Sequence, residues 1–161
     1  MSEYNKIQNF LYAEARALDD KEFDEWVEFY HPDCPFYMPS WDDEDQLTSN
    51  FESELSLIYY ANRGGIEDRV FRIKTERSSA SMPEPRTSHN VQNIEVLEDD
   101  GTTINLRFNW TTHSYRYRKI DVFFGTSFYS LVRNGDSFLI TNKKVILKND
   151  VIRQVLDVYH I

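Results

Sequence analysis

The stretch from Thr102 to Leu147 constrains what this chain can fold into more than any other. Ile104, Leu106, Phe108 and Trp110 alternate with Asn105, Arg107, Asn109 and Thr111. A period of two sends successive side chains to opposite faces of a strand, so one face packs on a core and the other meets polar surroundings. Val122 to Arg133, VFFGTSFYSLVR, is a second run, with aromatic or β-branched residues on both faces. Its Gly125 suits a bend or a close approach of backbones. Asn134-Gly135 follows and predicts a type I′ hairpin, in which both central residues need positive φ. Ser137 to Leu147 is the return strand. Long antiparallel strands in succession, with this many aromatic residues, can hold a sizeable core, and the N-terminal part of the chain reads as their cover.

The first half alternates between helical and irregular patterns. Ile7, Phe10, Leu11, Ala15 and Leu18 form one helical stripe, with Ser2 as N-cap. Asp19, three residues before Glu22, predicts a capping box for a second helix carrying Phe23, Trp26, Val27 and Tyr30. That helix ends before Pro32, at His31. Residues 34–38 read as a short strand, and the acidic PSWDDEDQLTSN as a long loop. Leu55 to Tyr60 reads as a strand closed by Asn62-Arg63-Gly64-Gly65, then a short helix on Ile66, Val70 and Ile73. Arg86 to Leu97 is a strand whose apolar phase slips between Val91 and Ile94, the signature of a bulge. Asp100-Gly101 turns it into the next strand. The ending VIRQVLDVYHI reads as a helical turn followed by a strand. Helices first and antiparallel strands after give an α+β pattern: a single domain over residues 1–161, with a curved sheet wrapped on helices into an open-mouthed cone.

The chemistry is sparse. A net charge of −9 argues against nucleic acid and anionic membrane as partners. No apolar run reaches the length of a membrane span and no signal peptide opens the chain, so a cytoplasmic location is expected. Cys34 stands alone, which excludes an internal disulfide or a cysteine cluster. His31, His89, His113 and His160 have no helical metal spacing; an iron site from His89, His113 and an Asp is a minor alternative. The run Asp42, Asp43, Glu44, Asp45 lacks calcium-loop spacing. No nucleophile elbow or phosphate loop is present. Paired inward carboxylates of the ketosteroid isomerase kind are not found on the strands.

FLYAEARALDDKEFDEW, FYMPSWDDEDQL, LIYYANRGGIEDRVFRIKTERSSA, RTSHNVQNIEVL and VILKNDVIRQVLDVYHI occur in an order that resembles the small (β) subunit of aromatic ring-hydroxylating dioxygenases across the whole chain. The likeness is greatest to the benzoate/toluate 1,2-dioxygenase branch, with anthranilate and halobenzoate dioxygenases next. The resemblance implies a cone of the nuclear transport factor 2-like, scytalone dehydratase type. It implies a non-catalytic chain that joins other β subunits and a larger α subunit as α3β3. The Rieske 2Fe–2S cluster and mononuclear Fe(II) would belong to α, with NADH used through a separate reductase. No cofactor is expected in this chain. The alternatives from other classes are a stand-alone cone-fold dehydratase or isomerase, and a ligand-binding module.

The partner-facing residues expected from this reading are Trp41, Asp42 and Asp43 in the acidic loop, Arg63, Arg69, Arg72 and Arg77 on the charged helix, and Arg86 and His89 on the following strand. Arginine forks suit bidentate carboxylate pairs across an interface. The bland alternative is a set of ordinary surface pairs on the helix and an internal network at Arg86 and His89.

Overall fold

The computed structural model describes residues 1–39, 41, 46–47, 56–79, 84–149 and 156–161, the side chains of 56 and 77–79 apart. Helix α1 (Glu3–Asp19) starts where its cap predicts: Ser2 Oγ accepts the Asn5 N–H at 3.2 Å. Its apolar stripe is buried, and Glu14 is buried within it. Helix α2 (Phe23–Val27) is shorter than its stripe suggests, because Tyr30 leaves the helix and bridges to Ile140. Asp19 does not cap α2. The N-cap position is Glu22, without a side-chain bond, and Lys21 turns the chain at φ 59°. The Asp19 carboxylate is taken instead by a strand, as described below.

Strands β1 (Phe36–Pro39) and β2 (Ser56–Tyr60) pair with each other, and helix α3 (Arg63–Ser79) follows. Gly64 and Gly65 lie inside the first turn of α3 rather than ahead of it. A side chain at Gly65 would run into the Tyr60 ring, so glycine here lets the helix start directly against β2. The long strands are β3 (Arg86–Asp99), β4 (Thr103–Arg116), β5 (Lys119–Asn134) and β6 (Ser137–Leu147). They complete a six-stranded sheet of order β2-β1-β6-β5-β4-β3. The meander is antiparallel, but β1 runs parallel to β6, so the sheet is mixed. The β3 bulge falls between Gln92 and Glu95, where the apolar phase slips.

The hairpin turns differ from expectation. β5 and β6 close on Asn134 and Ser137, leaving Gly135-Asp136 as the loop, with positive φ at Gly135 and not at Asn134. With positive φ at the first central position only, the loop is of the type II′ kind, which Gly135 suits, while Phe138 and Ile140 remain on the buried face. Two consecutive positive φ angles occur instead at Tyr117 (54°) and Arg118 (64°), between β4 and β5. The C-terminal segment, described from residue 156, forms a 3-10 turn (Val158–His160) and no strand.

The core lies between the concave sheet face and the helices. Ile104, Leu106, Phe108 and Trp110 point into it, as the alternation requires. At its centre is a polar knot. Glu14 accepts hydrogen bonds from Tyr30 (3.0 Å) and Tyr129 (2.6 Å), and the Lys143 ammonium donates to the Tyr30 hydroxyl at 3.0 Å and lies 3.5 Å from Glu14. Lys143 sits 4.7 Å from the Phe36 ring centroid, with Trp26, Tyr30 and Tyr129 around it. Burial pushes the ammonium pKa down, and Glu14 opposes that.

Candidate functional site

Past Trp110 the inward face of β4 changes character. Its next inward positions are Thr112 and Ser114, 0% and 1% exposed. Thr112 stands opposite His89 on β3 and Phe123 on β5. The C-terminal 3-10 turn lays His160 against Phe123, ring centroids 5.0 Å apart. Apolar layers thus give way to a polar arc at one end of the cone.

Both imidazoles in this arc are held by their Nδ1 atoms. The Asp19 carboxylate, from the end of α1, accepts from the His89 backbone N–H (3.0 Å), the Thr87 hydroxyl (3.0 Å) and His89 Nδ1 (2.5 Å). His160 Nδ1 accepts the Asp157 backbone N–H at 2.9 Å. Burial, the larger cause, pushes the His160 pKa from 6.5 to about 4, although Asp157 opposes it. His160 is therefore neutral at ordinary pH. Asp157 also caps the 3-10 turn through the Val158 N–H (2.8 Å) and forms a forked pair with Arg69. Arg69 thereby ties α3 to the C-terminal turn, and its guanidinium is held charged by that pair. Outside the arc, Tyr12, Arg16, Asp19, Asp20, His89 and Gln92 are among the residues lining an open cleft of about 370 Å³ between α1 and β3.

The expected site residues separate into groups. Arg63 donates to the Tyr30 carbonyl (3.0 Å) and pairs with Glu67 (2.7 Å), both within the chain. Arg69 and His89 are likewise engaged internally. Arg72 and Arg86 are exposed. Trp41 is 43% exposed while its indole N–H donates to the Leu147 carbonyl at 2.8 Å. Asp42 and Asp43, the rest of the acidic run and the Arg77 side chain lie outside the described residues. His89 and His113 do not share a site, because His113 projects from the outer face of β4. Among the described residues no three His, Cys, Asp or Glu side chains converge to hold a metal. The one cysteine cannot supply the thiolate pair that a Rieske cluster requires.

The outer face holds a feature that the sequence reading passed over. Tyr115, Tyr117, Ile120, Val122 and Phe124 are each 42% to 65% exposed. Register puts Tyr115 beside Ile120, and Val122 and Phe124 follow along β5. Contiguous exposed apolar side chains of this size mark an interaction surface. The signal was in the sequence, since Val122 to Phe124 is apolar on both faces of its strand.

A family model described as the ring hydroxylating beta subunit matches residues 13–154. The chain belongs to that family. This β subunit is 58% identical to the toluate 1,2-dioxygenase subunit beta of Pseudomonas putida, over 98% of each chain. The crystal structure of the benzoate 1,2-dioxygenase beta subunit from Burkholderia mallei is 50% identical, covers 100% of this chain and 99% of its own, and superposes with a TM-score of 0.86. A putative scytalone dehydratase from Novosphingobium aromaticivorans shares the fold alone: 14% identity, TM-score 0.69, 96% of this chain and 91% of the other. The cone expected from the sequence is thus the fold of the β subunit.

Proposed function

We propose that this β subunit is the small, non-catalytic component of a dioxygenase that cis-dihydroxylates benzoate or a closely related aromatic carboxylate in the cytoplasm. The observation that carries this reading is the near-full-length identity to toluate and benzoate dioxygenase β subunits. In it, a larger α subunit holds the Rieske cluster and the mononuclear iron, a reductase delivers electrons from NADH, and three copies of each chain form α3β3. The exposed apolar face on β4 and β5 supports assembly, since burying it in a partner removes a large apolar area from water. We place Trp41, Asp42, Asp43, Arg72, Arg77 and Arg86 among the partner-facing residues. Arg63, Arg69 and His89 serve the chain's own network, their side chains being already engaged.

Co-expression with the α subunit of a benzoate-type dioxygenase tests the proposal. A native mass corresponding to α3β3, and benzoate turnover that requires both subunits, is the expected result. Turnover of an aromatic acid by the isolated β subunit would overturn it. That outcome would favour a stand-alone dehydratase or isomerase, a reading which the Asp19–His89 pair in the cone supports.

A further inference from the structure

At the free end of the β4–β5 hairpin Arg118 and Lys119 are exposed, and so is Arg86, the register partner of Tyr115. None of these three cationic side chains has a hydrogen-bond or ion-pair partner among the described residues. Tyr115, Tyr117 and Ile120 stand among them, 42%, 58% and 65% exposed. Unpaired cations gathered around exposed apolar side chains run against the net charge of −9. The backbone is also held in an uncommon conformation there, with positive φ at Tyr117 and Arg118. Strain of this kind gathers at binding and switch regions.

The complementary composition lies on the edge strand β3. Glu95, Val96, Leu97 and Glu98 are consecutive and all exposed, Val96 and Leu97 by 43% and 55%. The acids that follow are already engaged: Asp99 pairs with Arg133, and Asp100 accepts the Thr102 and Thr103 N–H groups. Glu95 and Glu98 have no side-chain partner among the described residues. Register breaks between Gln92 and Glu95 and between Val96 and Glu98 make this segment a poor template for an added strand, so it offers a partner its side chains.

The two patches cannot meet within one copy. Glu95 lies opposite Arg107, and from there β4 runs about 30 Å to its end at Arg116, at about 3.3 Å per residue. A two-fold contact of tip on tip would set like cations against each other. Unlike and complementary patches on one chain instead make a head-to-tail contact, which closes into a ring when the rotation permits. We propose that the basic, aromatic tip of the β4–β5 hairpin docks on segment 95–98 of a second copy of this chain. Arg118 and Lys119 then face Glu95 and Glu98, while Tyr117 and Ile120 cover Val96 and Leu97. The inference rests on the β-subunit reading above and supplies the surfaces through which its three copies meet.

Sedimentation velocity of the full-length chain, at low salt and micromolar concentration, should report a trimer. Reversing the tip (Arg118→Glu with Lys119→Glu) or the edge (Glu95→Lys with Glu98→Lys) should each leave monomers, a threefold fall in mass. The chain carrying all four substitutions should form the trimer again, a rescue that loss of fold cannot produce. Cross-linking gives an independent reading with the charges intact, and it decides the question should a reversed variant fail to fold. Tyr117→Cys with Leu97→Cys should yield covalent trimers on mild oxidation, and neither substitution alone should link copies, since Cys34 is buried. A monomeric parent would overturn the proposal. So would a reversed variant that stays trimeric, a four-fold variant that melts like the parent yet stays monomeric, or linkage by Tyr117→Cys alone. Should reversal of the tip spare the trimer and abolish binding of the α subunit, the tip meets α. The proposal then fails, while the dioxygenase reading, tested by turnover with both subunits, stands.

Discussion

Lys143 sits in the core with Glu14 as its counter-charge and Tyr30 between them. A buried pair of this kind is judged by what its removal leaves behind. Lys143→Met leaves the Glu14 carboxylate buried without its cation, and urea denaturation should show a loss of about 3–5 kcal/mol. Adding Glu14→Gln removes the stranded charge while keeping an acceptor for the two tyrosines, so the double variant should recover most of that loss. If the double variant is less stable than Lys143→Met, the pair is not coupled in this way. His160 makes a second prediction at this scale. Its pKa is about 4 in the fold and 6.5 when unfolded. Between those values the unfolded chain binds a proton that the folded chain does not, so stability rises with pH through the window. Acidification from pH 6.5 to 4 should remove about 3 kcal/mol through this residue, and His160→Gln should flatten the slope measured by denaturation at a series of pH values. Residues of this kind are hard to read from a sequence. Glu14 falls within the apolar stripe of α1, but the sequence does not say that Lys143, more than a hundred positions away, meets it. The Asp19–His89 pair was hidden for the same reason, because Asp19 fits a capping signal equally well.

Single elements were more legible than their joints. The alternation along β4 predicts its buried face residue by residue, and the phase slip in β3 marks its bulge correctly, because both signals come from burial on one side of a strand. Turns are another matter. The strongest turn dipeptide, Asn134-Gly135, is shifted by one position, because Gly135 serves equally well as the first central residue of a type II′ turn and both registers keep the same faces buried. The turn between β4 and β5 places a tyrosine and an arginine at positive φ, where glycine or asparagine is at home. Arg118→Gly should relieve part of that strain and raise stability by about 0.5–1 kcal/mol, visible as a rise of a few degrees in melting temperature. A fall would mean that the Arg118 side chain makes a compensating contact. Gly125 works in the opposite direction. A Cβ there would overlap the Ile146 carbonyl oxygen of β6, so Gly125→Ala should part the two strands and sharply reduce the yield of folded protein.

For the whole molecule, the exposed face of the β4–β5 hairpin separates folding from assembly. Ile120→Asp with Phe124→Asp alters two side chains that are 65% and 45% exposed. The variant should keep the melting temperature of the isolated chain and lose co-purification with its partner subunits by about tenfold or more, since charges at the centre of an apolar contact are strongly disfavoured. Unchanged assembly would move the interface elsewhere. The sheet order has a kinetic consequence too. β3, β4, β5 and β6 are neighbours in sequence and in space, so this half can zip outward from its turns with little loop entropy to overcome. The parallel pairing of Phe36 with Lys143 joins distant parts of the chain and has no turn to nucleate it. Refolding followed by pulsed hydrogen exchange should therefore protect the meander first and the β1–β6 junction last. The polar knot around Lys143 would then form as that junction closes, so the chain admits its one deeply buried ammonium only when the sheet is otherwise complete.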